Sequence, residues 1–135
     1  MKQKNGWSML ILRIVLGVTF LIHGVAKFQM GLGNVAGWFE SIGIMGFLGY
    51  VVSVIELVGG IALLLGIGTK LISALIALVM LGAIFTAKLS VGFIAPGGYE
   101  LDLALLAMAV VLVINGSQLF SLDNKLFGSS KENTN

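Results

Sequence analysis

The stretch WSMLILRIVLGVTFLIHGVAKF, Trp7–Phe28, is apolar apart from Arg13 and His23 and indicates the class of fold. It is an apolar run long enough to cross a bilayer, which takes roughly 20 helical residues. Because Lys2 and Lys4 precede it, a secretory signal peptide is the competing interpretation. The run is longer than a signal-peptide core, contains Arg13 and lacks a clear small-residue cleavage site. A transmembrane helix is therefore favoured.

The composition of the 135-residue chain also indicates a membrane protein. Hydrophobic residues make up 58% of the chain and charged residues 10%, whereas soluble domains carry about 25% charged residues. The net charge of +2 comes from few side chains, so no nucleic-acid partner is predicted. Having no cysteine and one histidine, the chain cannot supply a thiolate, zinc or bis-imidazole haem site by itself, and no metal site is predicted.

Three further apolar runs complete an all-α, integral membrane four-helix bundle. The predicted spans cover about residues 7–28, 47–66, 70–89 and 99–120. They form a single domain over residues 1–123, and residues 124–135 form a polar cytoplasmic tail. The lipid bilayer is then the first partner of this chain.

The glycine-rich segment between the first two spans has two open interpretations. Val35, Trp38, Phe39 and Ile42 follow helical spacing, which favours a short amphipathic helix lying in the membrane interface. An ordered loop with an aromatic anchor fits equally well.

Basic residues predict the orientation of the bundle. Lysines 2, 4, 70, 125 and 131 fall on one side of a four-span arrangement, whereas the other side holds Lys27 and Lys88. We therefore expect a multi-pass protein of the bacterial cytoplasmic membrane with both termini in the cytoplasm.

Small residues are expected to let the helices approach closely, since lipid supplies no hydrophobic drive for helix association. Gly17 and Gly24 lie one heptad apart on the first span, and Gly59 and Gly60 lie on the second. These four glycines are the predicted helix-packing positions.

Two ionisable residues fall well inside the first two spans. A rise of about 1.5 Å per residue puts Arg13 about 9 Å and Glu56 about 15 Å from the cytoplasmic ends of their spans. Because a charge at membrane depth needs a partner, we expect an Arg13–Glu56 ion pair. Two roles are open for this pair: it would either stabilise the helix bundle or take part in the function of the protein.

A second ionisable group is predicted at the outer end of the bundle. The same estimate of depth predicts four ionisable residues near that face: His23, Lys27, Glu100 and Asp102. Lys88 is predicted at the same level. Snorkelling to the headgroups explains the lysines without any function. His23 is expected to face inward toward the fourth span, where it would either exchange protons or act as a hydrogen-bonded packing residue. These four residues form the candidate ligand or proton site, and no catalytic residue is assigned.

The chain resembles the DoxX family of small bacterial four-helix membrane proteins. The resemblance runs from about Leu10 to Asp123 and rests on the order of several elements: LRIVLGVTFLIHGVAKF, GWFESIGI, VIELVGGIALLLGIGTKL and the closing ELDLALLAMAVVLVINGSQLFSLD. It is similar in particular to Bacillus-type members associated with catechol and quinone resistance. Family positions that match here are Arg13, His23, Gly24, Lys27, Glu56, Gly59, Gly60, Glu100 and Asp102.

The resemblance implies a membrane component of a quinone-linked redox or quinone/catechol detoxification system. A quinone is the implied cofactor or ligand, and a soluble redox enzyme the implied partner. The first alternative is a non-catalytic membrane anchor or scaffold for a soluble oxidoreductase. The second is a small-solute transporter, for which four short spans would need a homo-oligomer.

Overall fold

A computed structural model of the chain describes residues 2–94, 96–117 and 121–127. Most of the described residues are helical, and none of them forms a strand. The α-helices are α1 (Lys2–Met30), α2 (Leu32–Ser41), α3 (Phe47–Leu65), α4 (Thr69–Ala83), α5 (Glu100–Asn115) and α6 (Leu122–Phe127), and a π-helical turn (Ile84–Lys88) continues α4. The all-α expectation is confirmed.

Helices α1, α3, α4 and α5 pack into a four-helix bundle, in which α1 pairs most extensively with α3 and α4 with α5. Within the described residues, three segments are long and apolar enough to cross a membrane: Asn5–Met30, Phe47–Leu65 and Thr69–Lys88. The fourth predicted span appears as α5, whose 16 residues extend about 24 Å, less than the roughly 30 Å of a hydrocarbon core. Residues 118–120 of that predicted span lie outside the described residues.

Glycines set the distance between α1 and α3. A Cβ added at Gly24 would lie 2.5 Å from the Leu57 nitrogen, and one at Gly60 would lie 2.5 Å from the Leu21 nitrogen. Gly17 faces the carbonyl of Gly60, and Gly59 faces Ile72 on α4. The structure thus places all four predicted packing glycines at helix contacts.

The segment between the first two spans contains a helix, so the loop alternative is wrong. In α2, Val35 and Phe39 are buried and Trp38 is half exposed. Helix α2 packs on α3 near its start. It therefore covers one end of the bundle, which we call the α2-side end.

The opposite end, called the termini-side end, holds the α3–α4 turn and α6. The predicted polar tail begins inside α6, and residues 128–135 lie outside the described part of the chain. Large apolar side chains cover the outer faces of the bundle between the two ends, as in Ile11, Ile22, Val58, Leu78 and Phe85. Such a surface suits lipid rather than water.

Candidate functional site

Lys27 and Glu56 form an ion pair at the α2-side end. The Lys27 Nζ lies 2.6 Å from Glu56 Oε2, and the Lys27 side chain is 22% exposed against 5% for Glu56. The carboxylate is therefore buried while its lysine reaches the surface. In this arrangement the buried carboxylate has a charged partner, and the pair is open to the surface on the lysine side.

The close contact of α1 and α3 explains this pairing. Gly24 lies against Leu57, so Lys27, one helical turn further along α1, meets Glu56 on the antiparallel α3. Arg13 lies 11 positions before Gly24 in α1, about 16 Å away along the helix axis. The predicted Arg13–Glu56 ion pair is therefore wrong, because depths counted from the ends of the apolar runs misjudge the register of the two helices.

A second ion pair, Lys88–Asp102, joins α4 to α5 at the same end. Lys88 Nζ donates a hydrogen bond to Asp102 Oδ1 at 3.0 Å, and it lies 3.0 Å from Oδ2 as well. The second contact does not have hydrogen-bond geometry, so Oδ2 is a buried acceptor without a directed donor. Asp102 is 5% exposed, whereas the Lys88 side chain is 31% exposed.

The π-helical turn brings Lys88 to this position. Its i→i+5 pattern is seen in the 2.8 Å hydrogen bond from the Leu89 nitrogen to the Ile84 carbonyl. A π turn rotates the following side chains relative to a continuous α-helix, and such turns are frequent at functional sites. The sequence pattern gave no signal for this turn.

His23 and Glu100 do not join either pair. His23 is exposed rather than directed toward α5, so the inward expectation is wrong. Its Nδ1 lies 2.7 Å from the Thr19 carbonyl on the same helix, which requires the proton on Nδ1 because a carbonyl only accepts. Glu100 is also exposed. The predicted four-residue cluster is therefore divided: Lys27 pairs with Glu56, Asp102 pairs with Lys88, and two members face outward.

Arg13 lies at the termini-side end and is fully buried. Its Nε donates to the Leu63 carbonyl at 3.0 Å, and one terminal nitrogen donates to the Leu64 carbonyl at 3.4 Å. Carbonyls at a helix C-terminus lack intrahelical donors and carry partial negative charge. Arg13 therefore caps α3 from a neighbouring helix.

Asp123 caps the first turn of α4 beside Arg13. The Gly68 and Thr69 nitrogens donate to its two carboxylate oxygens at 2.8 and 3.0 Å, and Ser117 Oγ donates at 3.2 Å. Burial alone would raise the pKa of Asp123, but these hydrogen bonds outweigh it and hold the pKa below its ordinary value. These hydrogen bonds connect Asp123, near the end of the described residues, to Gly68 and Thr69 in the middle of the chain.

Sequence reasoning missed this cap because local capping signals look only a few residues along the chain. Asp123 lies 55 positions from Gly68. The one available signal was the closing SLD element of the family resemblance. Gly66 leaves room for this segment, because a Cβ added there would overlap the Cβ of Ser121. Its φ of +71° also favours glycine.

An apolar layer separates the two ends of the bundle. Its buried side chains come from α1, α3, α4 and α5, and they include Leu16, Phe20, Leu63, Ile76, Leu105, Ala109 and Leu112. Several of these are fully buried. The ionisable groups of the two ends are therefore not joined by a polar path among these core residues.

Fold and site together define a small helical membrane protein in which partly exposed lysines pair with buried carboxylates at one end. The family model described as DoxX matches residues 8–89, more than half of the chain. The chain belongs to the DoxX family, which confirms the resemblance.

Relatives cover nearly the whole chain. A Bacillus subtilis (strain 168) protein named "Putative oxidoreductase CatD" is 39% identical over 122 residues, spanning 90% of this chain and 89% of that protein. "Uncharacterized membrane protein Rv3486" of Mycobacterium tuberculosis is 32% identical, spanning 88% and 81%. A Haemophilus influenzae protein is also 32% identical, spanning 94% and 96%. No solved structure matches.

Proposed function

We propose that this DoxX protein is the membrane component of a quinone-linked redox or quinone/catechol detoxification system, with its ligand site at the α2-side end. The observation that carries the proposal is the presence of two partly exposed lysines, Lys27 and Lys88, each beside a buried carboxylate. The name of the CatD relative adds support for oxidoreductase chemistry.

The lysines suit a lipid-soluble quinone. Quinone carbonyls are hydrogen-bond acceptors, and an ammonium has three donors, of which each carboxylate uses only part. Such bonds gain strength where water is scarce. The carboxylates hold the ammonium groups in place and keep the site close to neutral without a ligand.

Reducing a quinone to a hydroquinone consumes two electrons and two protons. The chain has no cysteine to carry electrons, so the proposal assigns electron delivery to a soluble redox partner. Glu56 and Asp102 are ionisable groups beside the lysines and are the proposed proton carriers. His23 is exposed on the lipid-facing part of α1 and has no assigned role.

The apolar layer argues against the transporter alternative. A polar solute crossing the bundle would have to pass core residues such as Leu16, Phe20 and Leu63, which are almost completely buried. A ligand that enters from the lipid at one end needs no such path. We therefore place exchange of the ligand at the α2-side end only.

The scaffold alternative has its own observation. Lys70 and Lys125 are exposed at the termini-side end, where they offer a basic surface to an acidic soluble partner. The same lysines support the proposed orientation, with both termini in the cytoplasm. Co-purification of an oxidoreductase that is lost in a Lys70→Glu/Lys125→Glu variant, with no quinone binding, would favour this alternative.

Binding of menadione to the full chain in lipid nanodiscs tests the proposal. The neutral pair variants Lys27→Met/Glu56→Gln and Lys88→Met/Asp102→Asn avoid leaving a buried charge unpaired. We expect saturable binding to the wild type and at least about tenfold weaker binding to the variants, equivalent to 1.4 kcal/mol. Lys70→Met removes a lysine from the other end and should bind as the wild type does. Absence of saturable binding, or equal binding by all variants, would contradict the proposal.

A further inference from the structure

We infer that Asp102 makes the Lys88–Asp102 pair selective for the reduced, hydroxyl-bearing form of the ligand, a hydroquinone or catechol, over the quinone. This inference rests on the proposed function and adds to it the redox state that the site holds more tightly.

The two oxygens of Asp102 are not equivalent. Oδ1 accepts a hydrogen bond from Lys88, whereas Oδ2 is buried and accepts no directed hydrogen bond, although the Lys88 ammonium lies 3.0 Å from it. A buried acceptor without a donor is costly, because it has lost its water and gained no hydrogen bond in return. The site therefore favours a ligand that brings a donor to Oδ2.

The chemistry of the ligand then separates its two redox forms. A quinone oxygen is a carbonyl that can only accept, so it can bond to Lys88 but repels Oδ2. A hydroquinone or catechol oxygen carries a hydroxyl, which can accept from Lys88 and donate to Oδ2 at the same time. Hydrogen bonds to a charged acceptor are the stronger kind.

The position of the pair allows such a ligand to approach. The Lys88 side chain is 31% exposed and Oδ2 is buried behind it, so a ligand approaches from the lysine side and its hydroxyl reaches Oδ2 when the Lys88 ammonium moves aside. Lys88 closes the π-helical turn, and Asp102 lies in the first turn of α5. The donor and the acceptor thus come from two helices that meet at this edge of the bundle.

The Asp102→Asn variant gives a directional test. Lysine has only donors, so the amide oxygen of the variant must face Lys88, and the amide nitrogen takes the place of Oδ2. That nitrogen donates a hydrogen bond and matches a quinone carbonyl. The substitution should therefore remove or reverse the preference for the reduced form while keeping the size of the side chain.

The experiment compares anaerobic binding of menadiol and menadione to the full chain in nanodiscs. We expect the wild type to bind menadiol about tenfold more tightly or better, the value of one charge-assisted hydrogen bond. Asp102→Asn should bring the ratio to one or below. Glu100→Gln removes the same charge from the same helical turn but at an exposed position, and it should keep the wild-type ratio.

The outcomes separate this inference from the proposed function. Wild-type binding of both forms with equal affinity, or an unchanged ratio in folded Asp102→Asn protein, overturns the inference and leaves the quinone proposal intact. Absence of saturable binding of either form overturns both. The wild-type ratio needs no variant, so the test holds even if Asp102→Asn fails to fold.

Discussion

At the termini-side end, Arg13 is fully buried and donates to the Leu63 and Leu64 carbonyls. At the α2-side end, Lys27 and Lys88 keep part of their side chains exposed beside buried carboxylates, and Asp102 Oδ2 has no directed donor. The first end ties hydrogen-bonding groups of four segments together, which stabilises the bundle. The second keeps two lysine donors partly exposed and leaves one carboxylate oxygen without a directed hydrogen bond, which suits a ligand.

The largest expected effect comes from Arg13→Met, which should weaken the termini-side end. Losing a fully buried guanidinium leaves the two α3 carbonyls without these donors and removes a positive charge near Asp123. We expect a loss of about 3 kcal/mol in the free energy of unfolding. Unfolding in detergent measures it, with the neutral pair variant Lys88→Met/Asp102→Asn as the comparison at the other end, because it leaves no buried charge unpaired. If this pair variant costs more than Arg13→Met, the contrast between the two ends is incorrect.

The next largest effect on stability is expected at the contact between α1 and α3, which holds Lys27 beside Glu56. Gly60→Ala should cost about 2 kcal/mol, because its Cβ would overlap the Leu21 backbone and force the helices apart. Gly82→Ala is the matched control, since nothing lies within 4 Å of its added Cβ. Thermal unfolding of the two variants measures the difference. Equal stability would show that these helices do not pack as closely as described.

A smaller, pH-dependent effect is expected for Asp123. Its pKa is lowered in the folded protein, so its stabilisation is present above the ordinary carboxyl pKa and is lost as pH falls through the lowered value. Asp123→Asn should be about 1 kcal/mol less stable than the wild type at pH 7. The difference should narrow below about pH 4. A constant difference across an unfolding series from pH 7 to pH 2.5 would contradict the cap.

The sequence predicts the helices of this protein better than it predicts the contacts between them. The hydropathy of Trp7–Phe28 and the small side chains of Gly24 and Gly60 predict spans and close packing, because these properties are local. The partner of Glu56 depends on the register of α1 against α3. The lengths of the apolar runs in the sequence do not define that register. The cap by Asp123 joins segments 55 positions apart, and no local residue pattern marks the π-helical turn before Lys88, so local sequence signals predict neither.

The smallest effect is expected for His23, which sequence reasoning had placed in the ligand site. Its side chain is exposed and bonds to a carbonyl of its own helix. His23→Ala should therefore change the free energy of unfolding by less than about 0.5 kcal/mol. Menadione titration should give an unchanged affinity as well. A tenfold loss of affinity would return His23 to the site.

Photo-crosslinking with an azido-naphthoquinone, followed by peptide mapping, tests most directly the claim that only the α2-side end binds ligand. We expect adducts in residues 20–30 and 84–102, and excess menadione should suppress them. Menadione-sensitive adducts confined to residues 5–13, 63–73 or 117–127 would contradict it.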